Sequence, residues 1–256
     1  MYFRGQPQIM RQLGIYLPEL YESGGMALLA VAPSGWGKTT LCLLSCNYLC
    51  PTGHFQFVQP DERTGLIEFK PEYRVHFIDE VHKLSVPEML YPIIDQGQHV
   101  IFMATNDSGV LPEALVNRAT PLVFQPYSQA DLIEITYKAF GYVIAESELL
   151  KIIEAGHANP REIVKLCQRL RMYVKANGVP EDLTPVLRET FGIINGIDIT
   201  GQRYLDFLAH VGGKASIDTI AAGLHVSRTF LLYQVEPPLL YQGKIQISAK
   251  GRVLVR

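Results

Sequence analysis

Residues 32–40, "APSGWGKTT", carry the residue types that hold a nucleoside triphosphate. A phosphate-binding loop reads G-x-x-x-x-G-K-[ST]. Its backbone N–H groups converge on the phosphates, the lysine reaches the β and γ oxygens, and the hydroxyl serves Mg2+. Gly35, Gly37, Lys38 and Thr39 supply these parts, and Pro33, Ser34, Trp36 and Thr40 complete the expected binding loop. Two positions depart from the pattern. Ala32 stands where the first glycine belongs, which is costly only if that residue needs a positive φ. Trp36 occupies a variable position and is expected to project outward.

A second motif, "VHFIDEVHKL", reads as a strand ending in Asp79-Glu80. Such a pair suits one carboxylate for Mg2+ and one to orient and activate an attacking water. His76, polar within that strand, is expected to be a hydrogen-bonded packing residue. A further strand ends at "MATND", where Asn106 can bind a γ-phosphate or the lytic water, or can cap the next turn. Arg118 in "LPEALVNRATP" and Arg161 in "ANPREIV" are cations near segment ends, a position that also suits solvated surface charge.

These residues need elements to hold them. "MALLAVA", "VHFID", "HVIFMAT" and "PLVFQP" are short apolar runs bounded by Gly, Pro, Asn and Asp, and helix-like stretches lie between them. That alternation predicts an α/β layer with a largely parallel sheet over residues 1–126. From Ser128 the apolar spacing turns helical, with Asn159 before Pro160 as a helix start and Gly178 as its stop, so 127–196 is expected to be a small helical lid domain. Residues 197–256 read as helix, helix-turn-helix with the turn at Gly223, then a hairpin around Lys250-Gly251. That order is a winged helix.

Composition narrows the class. Hydrophobic residues make up 48% of the chain and charged residues 19%, which suits a globular protein and argues against disorder. No apolar signal region is evident, and the longest apolar run is far too short to span a bilayer, so a cytoplasmic protein is expected. Cys42, Cys46 and Cys50 share one helical face. Without C-x-x-C or paired histidines they read as packing rather than a metal cluster. The formal net charge is −2, yet residues 203–256 hold seven Lys and Arg against three Asp and Glu. Basic charge is therefore concentrated where a winged helix meets phosphates. Ser227 and Arg228 are the expected recognition-helix contacts, with Lys244, Lys250 and Arg252 on the wing. A second stripe, Arg161, Lys165, Arg169, Arg171 and Lys175, reads as a solvated helix face.

With these pieces in order the chain resembles the AAA+ ATPases, and within them the RuvB-like family of Holliday-junction branch-migration motors. "PSGWGKTTL" is similar to the family's Walker A and "HFIDEVHKLS" to its Walker B. "ATNDSGVLPEALVNR" resembles the segment from sensor 1 to the arginine finger, "ANPREIVKLCQRLRMY" resembles sensor 2, and the last fifty residues resemble its winged helix. The resemblance implies ATP and Mg2+ as ligands, with Lys38 on phosphate, Thr39 and Asp79 on Mg2+, and Glu80 on the catalytic water. It places Asn106 at sensor 1, Arg161 at sensor 2, and Arg118 at a finger that completes a neighbour's site, which implies a ring or helical homo-oligomer on DNA. One departure is evident: the segment from Glu80 to Asn106 is too short for the hairpin with which the family contacts its partner RuvA. Two functions follow as expectations. One is an oligomeric ATPase that remodels or moves along DNA. The alternative is an ATP-switched adaptor that assembles on DNA and recruits another protein without translocation.

Overall fold

The computed structural model describes residues 3–249 and 251–255. The chain divides into two compact units, Met1–Asp131 and Leu132–Arg256.

In the first unit the helix α1 (Pro7–Glu22) precedes β1 (Met26–Val31), α2 (Lys38–Leu49), β2 (Gln56–Val58) and β3 (Val75–Ile78). Then come α3 (Tyr91–Asp95), β4 (Val100–Thr105), α4 (Glu113–Val116) and β5 (Thr120–Val123). The five strands form one sheet in the order β2-β3-β4-β1-β5, and every pairing is parallel. The expected parallel sheet is present; β2, too short to show a pattern, is an additional strand. Side chains alternate between two cores. Leu28, Ala30, Phe77, Phe102 and Leu122 meet Leu13, Leu41 and Cys46 on one face, while Leu29, Ile78, Ile101 and Met103 meet Val81, Leu90 and Leu115 on the other. Burial on both faces explains why β1 and β4 are uninterrupted apolar runs. Cys42 and Cys46 are buried in this packing, and burial pushes both thiols above their usual range. They act as small hydrophobes, as their spacing suggested.

The connection from β3 to β4 holds two 3-10 turns, Val81–Lys83 and Pro87–Leu90, together with α3, and no strand. The hairpin is absent from this segment.

The second unit begins with α5 (Gln129–Phe140), whose first residues belong to the preceding unit, and continues with α6 (Glu146–Ala155) and α7 (Pro160–Asn177). Asn159 caps α7 by accepting from the Arg161 N–H at 3.0 Å, as the Asn-Pro pair predicted. A short turn α8 (Leu183–Pro185) runs into five π-helical residues, Val186–Thr190. Then come α9 (Ile199–His210), β6 (Lys214–Ala215), α10 (Ile217–Leu224) and α11 (Arg228–Phe230). The last of these continues through a π turn, Leu231–Val235, into α12 (Glu236–Tyr241). Pro237 and Pro238 remove two N–H donors and crowd the carbonyls of the preceding turn, which accounts for the widened helix there. The strands β7 (Ile245–Ser248) and β8 (Gly251–Leu254) pair as the expected antiparallel hairpin, with β6 on the other side of β8.

The helix-turn-helix differs from expectation at its turn. Gly223 lies inside α10, and the chain reverses two residues later at His225, which takes a left-handed φ of 57°. Gly223 is needed for packing instead: a Cβ there would stand 2.1 Å from the Phe207 ring. Among the described residues no helix is long and apolar enough to cross a membrane.

Candidate nucleotide site and winged-helix surface

Strand register brings the chemistry to one edge. Val31 at the end of β1 faces Thr105 at the end of β4, and Ile78 at the end of β3 faces Met103. The loop after β1, Asn106 after β4 and Asp79-Glu80 after β3 therefore emerge side by side at the carboxyl ends of parallel strands. That is where open α/β sheets bind ligands.

The loop is built on its glycines. Gly35 and Gly37 have φ of 86° and 89°, the left-handed region that glycine enters freely. Gly37 is also packed under Phe3, whose ring would be 2.8 Å from an added Cβ. Ala32 has no positive φ; it is buried, and its N–H donates to the Thr105 carbonyl at 3.3 Å. A glycine is not required at that position, so the departure from the motif carries no backbone penalty.

Lys38 is buried at the head of α2, and its ammonium donates to the carbonyls of Ala32 and Pro33 at 2.6 and 3.0 Å. The Thr39 hydroxyl donates to Asp79 Oδ2 at 2.9 Å. No side chain caps α2, whose N-cap is Gly37, so its positive end faces the loop. Pro33, Ser34 and Thr40 are exposed around it.

Trp36 corrects an expectation. It is half-buried against the core of the sheet, edge-on to Tyr127 with ring centroids 6.1 Å apart, and its carbonyl accepts from the Tyr127 hydroxyl at 2.8 Å. The indole anchors the loop rather than projecting from it. Gln6 completes this anchorage through a two-way amide clamp, donating to the Gln125 carbonyl and accepting from the Gln125 N–H, each at 2.8 Å.

Asp79 is buried, while Glu80 is partly exposed and takes φ 54°, ψ 41°. A non-glycine residue in the left-handed region costs about 1–3 kcal/mol and persists where its surroundings hold it. Here the Glu80 N–H donates to Asp79 Oδ1 at 3.0 Å, and its carboxylate lies 3.4 Å from Lys83 Nζ and 3.5 Å from His82 Nε2. His82 Nδ1 in turn lies 3.1 Å from Thr105 Oγ1. Asn106 is exposed immediately beyond. His82 and Thr105 carried no role in the sequence reading; the available signal was two polar residues at element ends beside the acidic pair and Asn106.

Arg118 follows α4. Its Nε donates to Asp95 Oδ1 at 3.0 Å, its Nη1 to the Ala114 carbonyl at 2.9 Å, and its guanidinium lies 4.7 Å from the centre of the Tyr91 ring. Arg161 is exposed in the first turn of α7 and belongs to the other compact unit. His76 is fully buried, bonded through Nδ1 to Gln56 Oε1 at 2.9 Å and stacked on Phe69, a packing residue as expected. Burial, reinforced by neighbouring His99, lowers its pKa to about 4.

On the winged helix, Ser227 is the N-cap of α11, accepting from the Phe230 N–H at 3.1 Å, and Arg228 is exposed, 3.7 Å from Asp218. Lys244 is exposed at the foot of β7, and Lys250 lies outside the described residues. Arg252, expected on the DNA-facing wing, is committed elsewhere. It donates to both carboxylate oxygens of Glu236 at 2.8 and 3.0 Å, and buried Tyr204 donates to the same carboxylate at 2.7 Å. With side-chain exposures of 14% for Arg252 and 2% for Glu236, this is an internal bidentate pair. The buried carboxylate needs that cation, so Arg252 is engaged in an internal ion pair, whereas it was expected on the open face of the wing.

A glycine-bearing loop after β1, an acidic strand end across β4 from it and a C-terminal winged helix are the arrangement found in AAA+ ATPases of the P-loop class. Within that class the chain is similar to RuvB. Residues 194–256 match the family described as the RuvB C-terminal winged helix domain. The chain is 25% identical to the Holliday junction branch migration complex subunit RuvB of Rubrobacter xylanophilus, over 99% of this chain and 82% of that one. The solved RuvB branch migration motor of Thermotoga maritima superposes with a TM-score of 0.77 at 25% identity, covering 99% of this chain and 93% of that one. Domain III of the Thermotoga maritima replication initiation protein DnaA shares the fold more distantly, with a TM-score of 0.58 at 15% identity over 74% of this chain and 93% of that one.

Proposed function

We propose that this chain is an oligomeric, DNA-binding ATPase that uses ATP hydrolysis to remodel or move along DNA. The observation that carries the reading is the Thr39–Asp79 contact at the head of α2, in a chain similar to a branch-migration motor along nearly its whole length. These hard oxygen donors fit Mg2+, and the uncapped helix end beside them fits the phosphates. Held by Thr39 and Asp79, Mg2+ would supply neutralisation of the triphosphate charge.

The remaining work falls to this chain's own groups. The loop N–H groups of residues 33–40 cradle the phosphates, and Lys38 exchanges the Ala32 and Pro33 carbonyls for β and γ oxygens. Glu80 orients the attacking water and takes its proton, and Asn106 fixes the γ-phosphate or that water. Arg161 contacts the phosphates as a sensor. Arg118 leaves Asp95 to stabilise charge in a neighbouring copy's site, which makes a ring or helical homo-oligomer part of the mechanism. Ser227, Arg228, Lys244 and Lys250 meet DNA. The domain division that serves this reading is 1–126, 127–196 and 197–256, in a cytoplasmic protein.

A second reading, an ATP-switched adaptor that assembles on DNA without translocating, is supported by the hairpin-free connection between β3 and β4. Imaging particles with a slowly hydrolysed ATP analogue, with and without duplex DNA, tests assembly. A monomer under both conditions defeats both readings. Strand displacement or branch migration by the purified protein identifies the motor; ATP-dependent assembly without either identifies the adaptor.

A further inference from the structure

We propose that His82 is a positioning residue that holds the Glu80 carboxylate and couples it to Thr105, the residue that ends β4 just before Asn106. The inference rests on the reading of Glu80 as the group that activates water.

The geometry is a chain of three side chains from two strand ends. His82 Nε2 is 3.5 Å from Glu80 Oε2, and its Nδ1 is 3.1 Å from Thr105 Oγ1. Thr105 is fully buried, and its hydroxyl also meets Asp107, accepting from its N–H at 3.1 Å and lying 2.9 Å from its carbonyl. The imidazole is thus tied to a rigid point of the sheet. Its side chain is 17% exposed, whereas that of Lys83, whose ammonium lies 3.4 Å from the same carboxylate, is 56% exposed.

Proton placement is consistent with this role. If the Thr105 hydroxyl donates to Nδ1, the imidazole is neutral and Nε2–H points at Glu80. If Thr105 donates to Asp107, Nδ1–H donates to Thr105, and only the imidazolium presents Nε2–H to the carboxylate. In both arrangements that keep the contact favourable, a donor on Nε2 aims one Glu80 oxygen. Asn106, the expected γ-phosphate contact, follows Thr105 directly in the chain, so the phosphate contact and the orientation of Glu80 share one strand end.

The test is steady-state ATP turnover by the full chain, with DNA present, for His82→Ala, His82→Gln, Thr105→Val and the pair His82→Ala/Thr105→Val. Removing an orienting partner of a catalytic group typically costs about 10–100-fold. The expected result is a kcat loss of that size for His82→Ala with KM unchanged, substantial recovery in His82→Gln, and a double variant no slower than His82→Ala. Wild-type kcat in His82→Ala overturns the proposal, as does lost nucleotide binding without recovery by Gln, which marks a purely structural residue. Glu80→Gln, run alongside, separates the two levels: if it is inactive while His82→Ala is normal, only the coupling fails. If Glu80→Gln is itself normal, the underlying reading fails as well. Thr105→Val gives an independent answer should His82→Ala not fold.

Discussion

The Thr39 hydroxyl donates to Asp79 Oδ2 across 2.9 Å, joining two residues forty positions apart, one in the first turn of α2 and the other just past the end of β3. Thr39→Ala and Asp79→Asn are each expected to abolish Mg2+-dependent turnover. Glu80→Gln is expected to lower kcat by about 100-fold or more while nucleotide still binds. Turnover assays paired with fluorescent-nucleotide titration measure both effects, and wild-type hydrolysis by Glu80→Gln would show that another group activates the water.

Arg118 pairs with Asp95 and lies over the Tyr91 ring. Arg118→Ala is expected to reduce turnover by about 10^3-fold or more, the usual worth of an arginine finger, without affecting nucleotide binding. Mixed with Lys38→Ala protein, it should regain part of the activity, because each subunit type supplies what the other lacks. Absence of complementation at any mixing ratio would argue that Arg118 works within its own subunit. Asp95→Ala should change unfolding free energy by less than about 1 kcal/mol, since the pair is solvent-screened.

Arg252 and Lys244 are expected to separate stability from DNA binding. Arg252→Ala leaves the Glu236 carboxylate buried without its cation and should cost about 3–5 kcal/mol. Lys244→Ala should leave the melting temperature unchanged and flatten the salt dependence of DNA binding by about one phosphate contact. Equal melting temperatures for Arg252→Ala and wild type would contradict the internal pair.

Gly223→Ala places a methyl group against the Phe207 ring. Although alanine is the better helix former, overpacking is expected to prevail, with a loss of about 1–3 kcal/mol. Denaturant unfolding measures it, and a stabilised variant would mean that the ring moves aside freely.

Stability should decline as pH falls from about 6.5 to about 4. In the folded chain burial and His99 hold His76 neutral down to about 4, whereas the unfolded chain takes up the proton near 6.5. Over that interval the unfolded state binds more protons, so acid favours it. Thermal melts across the window should show the decline shrink in His76→Gln.

Local sequence was sufficient wherever the determinant is local. Glycines at left-handed loop positions, an Asn-Pro helix start and two-sided apolar runs made the conformation of the loop after β1, α7 and the buried strands legible, because each depends on one residue's backbone preference or on a short period. Asp79-Glu80 was legible for the same reason, as an acidic pair at a strand end. The fates of Trp36, Gly223, His82 and Arg252 were not. A tryptophan in a loop turns inward only because Tyr127, ninety-one residues on, offers an edge and a hydroxyl. A basic residue on a wing is withdrawn from solvent only because Glu236 is buried beneath it. Backbone preference and periodicity are written along the chain; which charge meets which, and which ring closes over which glycine, is settled only when distant segments share one packed volume.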